Sequence, residues 1–227
     1  MRIFGGMLVR NEANRYLKTV CEQMKYICNE VIVIDDKSTD NTIDICKSFG
    51  FTVHESVKNY WVFDELKQRK RLFNFLTSRS LEGDIFLILD ADEIIADDLE
   101  KFRSTLLNAK TFVETFTFRL FDMWNTTHYR NDILWNAHKR NWPMAIRRTN
   151  KVTHWINQNL HCGRFPSNCY VNPMHTGLRI KHMGWATQED REIKYKRYME
   201  SDPDGRLGNM EQYKSILDKT PNLEVFE

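Results

Sequence analysis

Residues 84–93 read Asp-Ile-Phe-Leu-Ile-Leu-Asp-Ala-Asp-Glu. Five apolar residues in succession, Ile85 to Leu89, follow Gly83 and run into an acidic cluster. A run of that length, bounded by a turn residue and by charge, reads as a strand buried on both faces, the habit of a parallel sheet with helices on each side. It ends in two carboxylates, Asp90 and Asp92, one residue apart. In open α/β sheets ligands sit beyond the carboxyl ends of the strands. Paired hard oxygens there suit a divalent ion and a diphosphate. They equally suit a solvated turn that opens a helix, so the rest of the chain has to decide.

Upstream, strands and helices alternate. Ile3 to Val9 is a predicted strand, with Gly5 and Gly6 read as room for a second backbone. Leu17, Val20, Cys21, Met24, Ile27 and Cys28 recur at helical spacing. Glu30 to Asp35 is a β-branched strand. The Asp, Ser, Thr and Asn residues after it are natural helix caps, and Gly50 ends the short helix that follows. Thr52 to Glu55 is a third strand. Asp64 to Ser80 is a helix with Leu66, Phe73 and Leu76 inward and the basic run Lys67 to Arg71 outward. This order predicts a mainly parallel sheet with right-handed crossovers.

Downstream, Asp97-Asp98 open a helix to about Leu107, and Thr111 to Leu120 alternates as a strand exposed on one side. Asp122 to Trp142 reads as an irregular lobe over the strand ends, with Met144–Arg148 and Leu178–His182 as short strands. Thr187 to Ser201 is a charged helix, Asn209 to Leu217 a short one, and the tail from Thr220 packs loosely.

A chain of 227 residues with 41% hydrophobic content supports one α/β domain, or one domain with an appended lobe. The net charge of +2 gives no general polyanion signal. The five cysteines include no CxxC pair, and Cys21, Cys28 and Cys46 fall among helical apolar positions. Cys162, Cys169, His175 and His182 form a loosely spaced zinc alternative. A reducing compartment follows from the unpaired cysteines. With no membrane-length run and no signal-peptide pattern, the expectation is a cytoplasmic protein, with peripheral membrane contact as an option. Trp124, Trp135, Trp142 and Trp155 are read mostly as core, with stacking on a sugar as the alternative.

Three predicted strand ends carry chemistry: Arg10, Asn11 and Glu12 after the first, Asp35 and Asp36 at the second, Asp90 and Asp92 at the fourth. No GxGxxG or GxxxxGK[ST] occurs, which argues against a dinucleotide oxidoreductase or a P-loop enzyme. The blocks Val9-Arg10-Asn11-Glu12-Ala13, Val33 to Thr42 and Leu89-Asp90-Ala91-Asp92-Glu93 together resemble the signature of family-two glycosyltransferases, in order and spacing. Leu178 to Trp185 and Tyr198 to Gly205 resemble the tail of bacterial and phage-type members. The resemblance implies a GT-A type, Rossmann-like sheet. Residues 1–120 would be the nucleotide-sugar-binding core and 121–227 an irregular acceptor-side lobe with C-terminal helices, in one continuous domain.

It further implies an inverting, hexosyltransferase-like reaction. A sugar would pass from a nucleotide-diphosphate sugar, commonly a UDP-sugar, to a hydroxyl acceptor with Mn²⁺ or Mg²⁺. Arg10, Asn11 and Glu12 would form the first nucleotide-binding turn, Asp36 would meet the base, and Asp35 would lie beside it. Asp90 would approach ribose and metal, Asp92 would ligate the metal, and His182 would be a late ligand. Arg71, or Arg69 beside it, would reach the diphosphate. Where relatives place an acid after a histidine equivalent to His161, this chain has Cys162, so the general base is sought at Asp122 or Asp132, with Asp132 preferred. The acceptor could be a glycan, a lipid-linked group, a protein or a modified nucleobase. Two other classes compete: a non-catalytic nucleotide-sugar or glycan binder, and a transferase acting on modified DNA through the basic run.

Overall fold

The computed structural model describes residues 1–60, 64–158, 162–206 and 208–227. The chain runs β1 (Ile3–Val9), α1 (Leu17–Ile27), β2 (Glu30–Asp35), α2 (Thr42–Ser48), β3 (Thr52–Glu55), α3 (Glu65–Arg79), β4 (Ile85–Ile88), β5 (Glu93–Ile95) and α4 (Leu99–Leu107). It continues with β6 (Thr115–Asp122), β7 (His128–Arg130), β8 (Asn141–Arg147), β9 (Pro173–His182), α5 (Gln188–Ser201), α6 (Met210–Ser215) and β10 (Leu223–Val225).

The main sheet has the order β3-β2-β1-β4-β8-β6-β9-β5. β3, β2, β1 and β4 are parallel. β8 turns against β4 and β6, and β6 runs parallel with β9. As the resemblance implies, this is a mainly parallel α/β sheet flanked by helices. Strands from both sides of residue 120 share it, and β6 itself crosses that position.

The cap read before α2 makes no side-chain bond at its N-cap, Asn41, but four other helices are capped. Asp64, Asp98, Thr187 and Asn209 each accept a backbone N–H from the first turn of their helix. Leu17, Val20, Cys21, Met24 and Ile27 of α1 are fully buried against the sheet. Gly5 and Gly6 admit side chains rather than a second backbone. A Cβ on Gly5 would meet Met24 and Val31, and one on Gly6 would meet Ile88, Leu72 and Leu76.

Further sequence expectations change: β8 starts at Asn141 and β9 at Pro173, each earlier than its predicted strand. β6 begins at Thr115, because Lys110 to Val113 form a turn. Its polar face is buried too: the Thr115 hydroxyl bonds the Cys169 and Val171 carbonyls, and the Thr117 hydroxyl pairs with His175 Nδ1 at 2.8 Å. The tail does not pack loosely, since β10 pairs with β7 and Phe226 packs on Phe121. β5, unread in the sequence, completes the sheet beside β9. Its outer edge is covered by Gln23, whose amide both donates to the Ile95 carbonyl (2.9 Å) and accepts its N–H (2.8 Å).

That placement bends the sheet. β4 and β5 stand four strand spacings apart in the order, about 19 Å if the sheet were flat. The chain from Ile88 to Glu93 could reach at most ~17 Å fully extended, and it contains a turn in which Glu93 N–H bonds the Asp90 carbonyl. The sheet therefore curls back on itself. Register shifts on both sides of β6, near Phe116 to Arg119, give it the local bend. The Asp90–Asp92 loop is the strap across the curl.

All five cysteines are free. Among the described residues no helix is long and apolar enough to cross a membrane.

Candidate functional site

The carboxyl ends of β1, β2, β4, β6 and β9 lie along one edge, and the chemistry gathers there. The first two blocks lock together. Asn11, at φ 53°, accepts Thr39 N–H on its side chain and donates its own N–H to Ser38 Oγ. Glu12 N–H bonds Thr42 Oγ1, and Ala13 N–H bonds Asp40. Arg10 Nη1 reaches the Asp36 carbonyl at 3.1 Å. Asp35 is fully buried; Oδ2 accepts Ser38 N–H, while Oδ1 has no hydrogen-bond partner among the described residues. Asp36 accepts Tyr60 N–H and the Gln68 amide, the latter at 2.6 Å. The edge thus places Arg10, Asn11, Asp35 and Asp36 side by side. Both Asp36 oxygens already hold the segment entering α3.

The strap carries a second cluster. Asp90 pairs with Arg69 Nη2 at 3.3 Å and with Arg164 Nη1 at 3.4 Å. Burial works against its ionisation, but the two guanidiniums outweigh that and hold its carboxyl below the usual range. Arg164 also pairs with buried Glu93, whose carboxylate accepts Asp90 N–H at 2.8 Å. Here the outward reading of the basic run fails. Gln68 and Arg69 face inward, because Asp36, Ser56, Glu65 and Asp90 offer them partners. Arg69 is the basic residue at the acids; Arg71 bonds Ser56 Oγ and the Glu55 carbonyl at the end of β3 instead. Arg69 Nη1 is buried without a hydrogen-bond partner among the described residues.

The third cluster joins the strap to β9. His182 Nε2 lies 3.7 Å from Asp92 Oδ2, and its Nδ1 bonds Asp122 Oδ1 at 2.7 Å, so Asp92 and His182 do share one site. Pairing of β5 with β9 fixes this, since Glu93 stands opposite His182. Lys194 of α5 enters the same space: Nζ is 3.2 Å from Asp92 Oδ2 and 3.3 Å from His182 Nε2. Burial opposes charge on Asp92, yet Lys194, His182 and Arg15 together hold it far below the usual carboxylate range. Arg15 bridges outward to Asp190 (2.7 Å) and Glu12 (2.8 Å). Burial lifts the Glu12 carboxyl to about 7 despite Arg15.

A divalent ion tests this arrangement. Asp92 and His182 are ligand types that such an ion accepts, with Asp122 orienting the imidazole as an outer partner does. An ion bound to both atoms at ~2.1 Å would stand within about 4 Å of Nζ. There a doubly charged ion and an ammonium repel by roughly 8 kcal/mol at an effective dielectric of 20. Asp90 is turned to the arginines, and among the described residues no three His, Cys, Asp or Glu side chains gather as a ligand set. A divalent ion does not fit beside Lys194. The zinc alternative is excluded on the same ground: Cys162, Cys169, His175 and His182 do not converge.

Asp132 is not brought to the edge. Its carboxylate pairs with Arg130 at 2.6 Å and accepts Leu134 and Trp135 N–H, tying a turn. Asp122 is engaged by His182. Trp124 and Trp135 are buried with Trp185 in one cluster, and Trp155 packs edge-on against Phe73; Trp142 is exposed. His161 lies outside the described residues.

The model of the family described as "Glycosyl transferase family 2" matches residues 9–166. Uncharacterized proteins of Mycobacterium bovis and Mycobacterium tuberculosis are each 23% identical over 236 aligned positions, covering 91% of this chain and 52% of theirs. The chain thus spans about half the length of the curated relatives it matches. Similar solved structures include glucosyl-3-phosphoglycerate synthase of Mycobacterium tuberculosis in complex with Mn²⁺, uridine diphosphate and phosphoglyceric acid (18% identity, TM-score 0.38, 52% of this chain and 43% of that one). The same enzyme with Mg²⁺ and uridine diphosphate gives equal values.

Proposed function

This chain belongs to glycosyl transferase family 2, and from that premise we propose that it moves a sugar from a nucleoside diphosphate donor to a hydroxyl acceptor, with inversion. One observation carries the reading: loop 10–13, loop 35–42 and the Asp90–Asp92 strap meet along one sheet edge, with Arg69 and Arg164 beside the strap. The nucleoside end lies against Arg10, Asn11, Asp35 and Asp36. The diphosphate lies toward the strap, where Arg69 Nη1 has a hydrogen bond to give. Asp35 Oδ1 is the corresponding buried acceptor at the nucleoside end.

In the reaction the bond between the anomeric carbon and the β-phosphate oxygen breaks, and the diphosphate leaves with the electron pair. The acceptor oxygen attacks from the opposite face as its proton departs to a base. Fixed guanidinium and ammonium groups oppose the charge building on the leaving oxygen; such preorganised groups cost no reorganisation during the step. A UDP-sugar is the first donor to try.

A thermal-shift panel of uridine, guanosine, cytidine and thymidine diphosphate sugars tests this. A true donor at hundredfold excess over its Kd adds about 2.7 kcal/mol to the folded state. The Asp90→Asn variant, which loosens Arg69 and Arg164, shifts that donor's Kd. A panel in which no nucleotide sugar moves the melting temperature removes the reading.

A further inference from the structure

Lys194 is the one member of the buried triad that the motif blocks do not contain, and the family match ends at residue 166, before it. Its ammonium is enclosed. Asp92 Oδ2 and His182 Nε2 stand at 3.2 and 3.3 Å on one side, and the Trp185 ring centroid at 4.3 Å on another. The residue is buried, and a buried ammonium persists only where such partners replace its water. The chain also leaves room for it. A Cβ on Gly184 would overlap Lys194 Nζ and Asp92 Oδ2 and lie 2.9 Å from His182 Nε2. Gly184 has no positive φ that would demand glycine; the space requirement explains it.

The neighbouring charges fit a single positive guest. Asp92, Asp122 and Asp190 approach from the strap, from β6 and from α5, with Glu12 behind Arg15. Arg15 already answers Glu12 and Asp190, and His182 answers Asp122. What remains for Lys194 is Asp92.

We propose that the Lys194 ammonium is this chain's resident cation: it fills the position between Asp92 and His182, excludes divalent ions from that pair, and supplies from a side chain the charge that faces the leaving group. Charge is thereby built into α5 and does not depend on ion supply.

The test reads metal binding directly. Mn²⁺ is titrated into the wild type and into Lys194→Ala without nucleotide, and free Mn²⁺ is followed by its electron paramagnetic resonance signal. The variant binds roughly tenfold tighter or more, and adding His182→Ala to it abolishes the gain. In parallel, Lys194→Ala melts below the wild type in chelator and recovers when Mn²⁺ is added, whereas the wild-type melting temperature does not respond. If Lys194→Ala does not fold, Lys194→Gln, which keeps an amide donor for Asp92, enters the same comparison. Equal Mn²⁺ affinity in wild type and variant, or a gain that survives His182→Ala, overturns the proposal. Because Mn²⁺ is the sole probe, the outcome is separate from whether any nucleotide sugar binds.

Discussion

Glu12 joins the interlocked loops to the buried charges, through its N–H on Thr42 and its carboxylate on Arg15. Burial lifts its carboxyl from 4.5 to about 7. Between those values the folded chain holds a proton that the unfolded chain has released, so this group's contribution to stability falls as pH rises through the window. The size is roughly 3 kcal/mol. Urea denaturation at stepped pH is expected to show that slope in the wild type and to lose it in Glu12→Gln. At this scale the sequence was legible where residues follow strand ends: Asp36, Asp90 and Asp92 stand at the edge, and His182 meets Asp92. Arg15, Arg164, Asp190 and Lys194 were not read, because none lies in a block. One signal was present. The helix from Gln188 to Ser201 has almost no apolar stripe, so whatever face it packs on the domain has to bring polar groups with it. Its buried residues, Asp190 and Lys194, are one helical turn apart.

Element by element, the parallel half was plain. Runs bounded by caps and turn residues fix β1, β2 and β3 at the predicted residues. β5 escaped because three residues carry no period. In β6 alternating threonine reads as solvent-facing, whereas its hydroxyls are satisfied by carbonyls and an imidazole from residues 169–175. The edge of β5 gives a test of how that short strand is held. Gln23→Leu keeps bulk but removes both bonds to Ile95. A loss of about 1–2 kcal/mol in guanidinium unfolding is expected. An unchanged midpoint would mean that β9 alone holds the strand.

For the molecule as a whole, the second half of the chain is woven into the first rather than appended to it. β8 sits between β4 and β6, and the tail ties down the segment after β7: Asn131 N–H bonds the Asn222 carbonyl, and Phe226 packs against Phe121. A chain ending at residue 221 is expected to lose ~1–3 kcal/mol, lowering Tm by about 2–4 °C for each kcal/mol at this size. Scanning calorimetry would show it, and an unaltered Tm would make the tail dispensable. The curl could not be seen in the sequence, since the β4–β8, β6–β9 and β5–β9 pairings each join residues more than fifty positions apart.

The strap has a consequence in time. Asp92 and Lys194 are separated by 102 residues along the chain. At synthesis speeds of ~5–20 residues per second, the aspartate waits about 5–20 s for its lysine to emerge. Through that interval the early strands can associate, but the carboxylate stays hydrated. Its burial is therefore a closing event of maturation, and any species that has not yet docked β9 and α5 has the recognisable motifs without a finished charge pair.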